Sequence, residues 1–352
     1  MDKHTGIGKL LEINKLHAGR YDAPESTLAR RLYRASHPTE IGVFKCMDGR
    51  LHLPVMTNTA VGILQPWRNL GGKFNLGWPG LLYTVREWVS YAISRGRNCM
   101  PIATYHFSRG DEHRGCKGFN YDTKAAIKFS QELKEQFDRV FGKGPVYAVQ
   151  MGIETDLEAL ILHGDNGDMV DLSEISEQST DDLQKLIAKL YPDMPPVMQA
   201  DLLPIVSGNI AHIKDIRAEN RPIAKAEHQE WVLGIGRGFD WLHEINTALL
   251  IGPYDPRLWK TIAVGAGLLL DNINSGRINP QDGVVLITSA IYRDPIGSNR
   301  NLAEEKTKFL HDFAVEVITA EVPDLLPHLE HLTTTVDMNT RVLDVLESIN
   351  PK

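Results

Sequence analysis

A thiol, a carboxylate and a guanidinium recur at alternate positions in one short stretch, as Cys46, Asp48 and Arg50, directly after the apolar residues 41–44. On an extended backbone, alternate residues point to one side. Asp48 and Arg50 are therefore expected on the face of Cys46, with the arginine gripping the carboxylate through paired hydrogen bonds. A second group follows at residues 101–116, where an apolar segment ends at His106 and is succeeded by His113 and Cys116. Two thiolates and one imidazole would hold Zn2+ and leave its fourth position open, the arrangement of a catalytic rather than a structural zinc site. Loops leaving strand ends are where such ligands usually sit. Taken alone, a cysteine is more often a buried apolar residue than a ligand. Cys46 becomes a ligand candidate through the company of Asp48, Arg50 and Cys116, whereas Cys99 has no such company and reads as a small core residue.

The elements that must position these groups follow from hydrophobic periodicity. Leu81, Leu82, Val85, Trp88, Val89 and Ala92 recur at helical spacing within residues 78–94, and the helix stops at Ser94-Arg95-Gly96. A strand is expected over residues 100–107, a helix over 122–141 closed by Gly142, and a strand over 145–153. Strand, helix, strand implies parallel strands joined by a right-handed crossover, with catalytic groups at the strands' C-terminal ends. Gly71 and Gly72 permit a turn at positive φ. Residues 164–200 are acidic and proline-rich, with a helix expected near 183–190 and loop around Pro192, Pro195 and Pro196. Residues 165–171 lack the alternating ligands and closing glutamate of a calcium loop and read as a solvated acidic segment.

Past Gly208 the pattern starts again, as a worn internal duplication. Residues 275–279 before an expected strand at 284–291 mirror residues 94–98 before the strand at 100–107, and Gly238-Phe239-Asp240 echoes Cys46-Met47-Asp48 with glycine in the cysteine position. No cysteine follows Cys116, so the second lobe cannot rebuild the same site. The Gly234 to Gly238 cluster departs from dinucleotide-loop spacing and reads as structural. The expected organisation is an N-terminal arm at residues 1–40, carrying short helical pieces around the Ala23-Pro24 break, a zinc-binding catalytic domain at 41–215 and a duplicate lobe without a metal site at 216–352.

At 352 residues with 42% hydrophobic content, the chain can bury a large core and is long enough for two domains. A net charge of −7 argues against a nucleic-acid partner held by a broad basic surface. Three cysteines, an odd number in a long chain, suit a reducing compartment and free thiols better than a disulfide framework. Residues 1–5 lack the layout of a signal peptide, and no apolar run is long enough for a membrane span. A cytoplasmic setting is the expectation.

Cys-x-Asp-x-Arg at Cys46, Asp48 and Arg50, followed by a histidine and a cysteine after the next core strand, resembles the β-class carbonic anhydrases. Gln65-Pro66-Trp67-Arg68-Asn69-Leu70-Gly71-Gly72 is similar to that family's Arg-Asn-x-Gly segment. The likeness is greatest to the carboxysomal shell carbonic anhydrases, through Tyr105-His106-Phe107-Ser108, His113-Arg114-Gly115-Cys116, Met151-Gly152-Ile153-Glu154-Thr155-Asp156, Gly234-Ile235-Gly236 and Gly238-Phe239-Asp240. It covers most of residues 40–320. The resemblance implies an α/β fold with a central, mostly parallel sheet flanked by helices and a second, degenerate lobe of the same fold. It implies one Zn2+ per chain on Cys46, Cys116 and a histidine. His113 makes the His-x-x-Cys spacing of the ordinary class, whereas His106 stands where the strand ends. Position on the fold favours His106, leaving His113 as a relay or a solvated loop residue.

The activity implied is reversible hydration of carbon dioxide to bicarbonate and a proton by a zinc-bound hydroxide, with Asp48 orienting the hydroxide and Arg50 fixing Asp48. An aspartate-ligated resting zinc is also known in the class. Val55, Leu70 and Phe74 are candidate pocket residues, and Arg68 and Asn69 are expected to brace a loop or subunit contact. A homodimer or higher homo-oligomer is implied, and carboxysome shell or Rubisco association belongs to the same resemblance, although the short N-terminal region departs from those relatives. Two alternatives use the same residues: hydrolysis of carbon disulfide or carbonyl sulfide, and a zinc-stabilised scaffold without turnover. Structural zinc would need neither Asp48 nor Arg50.

Overall fold

The computed structural model describes residues 5–175, 179–219 and 227–349. Residues 1–4 of the expected arm lie outside the described residues. The elements in order are α1 (Gly6–Asp22), α2 (Pro24–Ser36), β1 (Thr39–Cys46), α3 (Leu53–Met56), β2 (Leu64–Asn69), α4 (Pro79–Ser94), β3 (Asn98–Phe107), α5 (Thr123–Phe141), β4 (Val149–Glu154), β5 (Ala159–His163) and β6 (Met169–Asp171). They continue with α6 (Thr180–Leu190), α7 (Pro196–Glu219), β7 (Val232–Gly236), β8 (Ala248–Ile251), α8 (Leu258–Asn274), β9 (Val284–Tyr292), α9 (Ser298–Glu321), β10 (Leu329–Asp337) and β11 (Leu343–Ile349). The chain divides into two units, one formed by Ala29–Met47 with Leu51–Glu227, the other by Met1–Leu28, Asp48–Arg50 and His228–Lys352. The first is called here the ligand unit, the second the partner-lobe unit.

The ligand unit is built on a six-stranded sheet in the order β2-β1-β3-β4-β5-β6. Strand β1 runs parallel to both β2 and β3, and β3 runs parallel to β4, while β5 and β6 add antiparallel strands at one edge. The strand at β3 and the helices at α4 and α5 occupy the stretches their periodicity predicts. Asp122 caps α5 by accepting the N–H of Ala125, and Gly142, at φ 77°, ends it. Beneath the site, Phe44 stacks on Trp67 with ring centroids 4.7 Å apart and meets Phe74 edge-on at 5.3 Å. Each such aromatic pair contributes about 0.5–1.5 kcal/mol beyond its area burial. Gly42 makes the close packing possible, because a Cβ there would stand 2.6 Å from Trp67 and 2.9 Å from Trp88.

Two features depart from the sequence reading. The proline-rich segment gives way to a 24-residue helix, α7, that begins at Pro196, since proline is tolerated in a first helical turn where its missing N–H is no loss. The antiparallel β5 and β6 were not anticipated, because short apolar runs do not declare strand direction.

The partner-lobe unit carries a five-stranded sheet in the order β11-β10-β9-β7-β8. Strand β7 is parallel to β8 and β9, β9 is parallel to β10, and β11 is antiparallel to β10. Read from the other edge, this is the order and direction of β2-β1-β3-β4-β5. Its core gathers Val232, Phe239, Trp241, Val285, Ile287, Leu332 and Val336, and Ile7 and Leu10 of α1 join it. Part of the stretch expected to be an arm is therefore core. The Glu330 carboxylate accepts the N–H groups of Gly6 and Ile7 at 3.1 and 2.7 Å, a negative charge at the helix N-terminus where the dipole favours it.

Candidate metal centre and the Asp48–Arg50 cluster

Cys46 is the last residue of β1, and His106 lies one residue before the end of β3. The parallel register pairs Phe44 with Ala103, so two residues further Cys46 stands abreast of Tyr105 and beside His106. Parallel strands thus deliver both groups to one edge of the sheet. Cys116 arrives from the loop after β3. Cys46, His106 and Cys116 are all buried, and one ligand atom from each lies within 4.8 Å of the others. His113, the alternative by spacing, is exposed and packs its ring against Tyr121 at 5.2 Å. Cys99 is buried at a β3 position with its thiol pushed up to about 12, chiefly by burial, as a core residue would be.

The double glycine wraps this centre. The Gly71 N–H donates to Cys46 Sγ at 3.3 Å, a contact that stabilises anionic sulfur. Gly71 and Gly72 stand at φ 68° and 63°, and a Cβ on Gly72 would lie 3.1 Å from the Thr104 carbonyl oxygen and 3.4 Å from the Cys46 nitrogen. Gly118 packs against the same turn, and a Cβ there would fall 2.7 Å from Gly71. The glycines draw the turn at 70–72 and the loop after Cys116 into backbone contact. Asn69 braces the turn by donating to the Lys73 carbonyl at 2.7 Å, and Phe74 belongs to the aromatic core. Two sulfurs, one imidazole and a backbone donor to sulfur make a donor set suited to Zn2+, whose bonds of about 2.0–2.3 Å could be closed from this spacing.

Asp48 and Arg50 belong to the other unit and form the paired contact expected of them. Arg50 Nε donates to Asp48 Oδ1 at 3.0 Å and a terminal guanidinium nitrogen donates to Oδ2 at 2.6 Å, while the Arg50 N–H also reaches Oδ1 at 2.9 Å. Both side chains are buried. Sequence reading missed two further members of this cluster, His228 and Glu230. His228 Nδ1 lies 3.0 Å from both Glu230 oxygens, and its Nε2 lies 3.8 Å from Asp48 Oδ2. Gly49 ties the pieces together, donating its N–H to Glu230 Oε1 at 3.0 Å and accepting from the Asn246 N–H at 2.8 Å. A Cβ at Gly49 would strike the Ala248 carbonyl at 2.7 Å. The signal that could have found the pair was a histidine and a carboxylate at alternate positions just ahead of an apolar strand.

Burial would push the His228 imidazole down, but the Glu230 and Asp48 carboxylates outweigh it against the opposing Arg50 charge, so it is held above its ordinary value. Glu230 is pulled below its ordinary value despite burial, through the charge and hydrogen bond of His228. The arrangement sets a carboxylate-anchored imidazole beside the Asp48 carboxylate.

Aligned on Asp48 and Asp240, the partner-lobe unit has Gly238 where the ligand unit has Cys46. The register of β7 with β9 pairs Gly236 with Ser289, which puts Tyr292 where His106 would be. Gly238 sits at φ 92°, and a Cβ there would stand 2.6 Å from Ile291 and 3.2 Å from Val336. Tyr292 donates to Asp344 Oδ2 at 2.6 Å. Comparison with protein-family models finds no match, and comparison with curated proteins finds none either.

Proposed function

We propose that the chain is a zinc-dependent carbonic anhydrase, interconverting carbon dioxide with bicarbonate and a proton, on Cys46, His106 and Cys116. The observation that carries this reading is the convergence of two buried thiols and one buried imidazole from two parallel strand ends and a loop. Zn2+ held there would supply a Lewis acid that lowers the pKa of a bound water toward about 7. The retained Asp48–Arg50 fork supports a catalytic rather than a structural role, since a structural zinc would ask for a fourth protein ligand and not for an immobilised carboxylate nearby in the chain. Asp48, two residues beyond Cys46, accepts a hydrogen bond from the attacking oxygen and orients it, while Arg50 occupies both carboxylate oxygens and keeps Asp48 from becoming a ligand. The specific β-class fold, the reading of the partner-lobe unit as a degenerate duplicate, and homodimer formation are parts of the same proposal.

Stopped-flow hydration of carbon dioxide with parallel metal analysis tests it, on wild type, His106→Ala and His113→Ala. The expected outcome is one zinc per chain and turnover in wild type, loss of both in His106→Ala, and retention of metal in His113→Ala. Zinc-loaded wild type that hydrates no carbon dioxide would overturn the activity and turn attention to sulfur-containing linear substrates or a scaffold.

A further inference from the structure

Nine residues lie between His106 and Cys116, and the loop they form must hold Cys116 where the β-strand no longer can. Asp156 anchors the base of the loop. Asp156, two residues past the end of β4, accepts the Ser108 hydroxyl on both carboxylate oxygens at 2.9 Å. Its Oδ2 also accepts the backbone N–H groups of Arg109 and Gly110, at 3.0 and 2.8 Å, and its Oδ1 lies 3.6 Å from the Arg114 guanidinium. The loop then builds on that base. Ser108 Oγ accepts the Asp111 N–H at 3.1 Å, Asp111 caps the next turn by accepting the His113 N–H at 2.9 Å, and Gly115 N–H closes the turn on the Glu112 carbonyl at 2.8 Å. Beyond the cysteine, the N–H groups of Phe119 and Tyr121 both return to the Cys116 carbonyl at 3.0 Å. Hydrogen bonds thus run from Asp156 through Ser108 and Asp111 to the N–H groups of His113 and Arg114, and the separate Gly115 to Glu112 bond closes the turn just before Cys116.

The geometry points to Asp156 as the positioning residue of the metal centre, holding the 108–115 loop so that Cys116 meets Cys46 and His106. This deepens the metal-site reading and rests on it. Asp156 suits the role because it must be an acceptor only. Every group it meets in the loop is a donor, and an ionised carboxylate offers about four lone-pair sites. Burial opposes the charge on Asp156, yet the Gly110 N–H, the Ser108 hydroxyl and the neighbouring Glu154 outweigh it, so the carboxyl lies below its ordinary value. Glu154 completes the base by accepting the N–H groups of Asp156 and Leu157 at 3.0 and 2.9 Å. A second tie, from the Arg109 guanidinium to Asp171, fixes the loop's outer side.

Asp156→Asn keeps the shape but turns an NH2 group toward backbone donors. In the full-length protein, zinc affinity by chelator competition is expected to fall on the order of 10- to 100-fold, the range for partners that orient ligands. In cobalt-substituted protein, the thiolate-to-metal and ligand-field bands are expected to shift, a change that a merely structural role elsewhere would leave alone. Asp193→Asn, at an exposed site, serves as control. Wild-type affinity together with a wild-type cobalt spectrum in folded Asp156→Asn would overturn the assignment. Should that variant lose its fold, Ser108→Ala carries the test: weaker zinc binding with a shifted spectrum supports the assignment, and wild-type values for both overturn it. Zinc-binding wild type without carbon dioxide hydration would sink the proposed activity and leave this assignment standing, whereas wild type that takes no zinc would overturn both.

Discussion

The two sheets share strand order and direction, but among the described residues only the ligand unit brings two cysteines and a histidine together at its strand ends. In the ligand unit, Gly152 on β4 leaves room beside β3, where a Cβ would lie 2.5 Å from the Tyr105 hydroxyl, and Gly71 and Gly72 fold around Cys46. At the matching register position in the partner-lobe unit, β10 carries Val336, which with Ile291 fills the space a side chain at Gly238 would need. Within the partner-lobe unit, Asp48 is clasped by Arg50 only two residues away, whereas Asp240 is paired with Arg341 at 2.7 Å, a hundred positions along the chain. One scaffold therefore tolerates two fates. The strand ends supply positions, and the small residues beside them decide whether ligands or packing occupy the space.

The comparison is broken most directly by exchanging the key residues. Cys46→Ser or Cys116→Ser should abolish stoichiometric zinc and with it turnover, because a catalytic site with three protein ligands has none to spare. The reverse change, Gly238→Cys, should create no second zinc and should lower the melting temperature, since it demands positive φ and collides with Ile291. A second equivalent of zinc bound by Gly238→Cys would remove the packing explanation for the difference between the lobes.

The carboxylates separate next. Asp48→Ala should retain zinc and slow hydration by about 10²–10⁴-fold, the usual worth of a positioned acid–base group. Asp240→Ala should leave kcat unchanged while lowering stability, because Arg341 is buried and loses its partner. Stopped-flow rates alongside thermal melts distinguish them, and equal rate losses in both variants would assign catalysis to the wrong feature.

Packing gives a smaller effect. Gly152→Ala should cost about 1–3 kcal/mol through overpacking against Tyr105, measured by urea unfolding. That tyrosine cannot easily yield: its hydroxyl meets His163 Nε2 at 2.9 Å, and burial pushes Tyr105 up to about 12 and His163 down to about 4. A neutral outcome would show that the glycine is not what makes room.

The smallest expected effect is the part of the pH dependence that comes from one histidine pair in the partner-lobe unit. His311 and His331 lie 3.3 Å apart, and burial holds both below the ordinary histidine value, with His311 pushing His331 further down. Their folded forms are neutral where the unfolded chain would already be protonated. Their contribution is therefore present above the unfolded value near 6.5 and is lost as pH falls below it. Wild type should lose stability between about pH 7 and pH 5 more steeply than His311→Gln. Parallel pH–stability curves for the two would discard the pair as the source.

Much of this was legible in residue order. Local periodicity sufficed for α4, α5 and β3, because a face that must be buried repeats at the period of its own element. The pairing of Asp48 with Arg50 was readable from their spacing, although it forms in a turn past the end of β1, where Asp48 also accepts the Arg50 N–H, and not on the extended backbone expected of it. So was the lack of any cysteine after Cys116 that could give the partner-lobe unit a thiolate ligand. What tertiary structure decided was everything set by distance across the fold. His106 rather than His113 meets the two cysteines because parallel register, and not spacing to Cys116, aligns it with β1. His228 and Glu230 join Asp48 from some 180 positions away, and Asp156 reaches the loop from another strand end. Residue order alone can announce which groups are able to do chemistry; contacts between distant strands depend on register and on the volume of their neighbours, which the linear pattern does not encode.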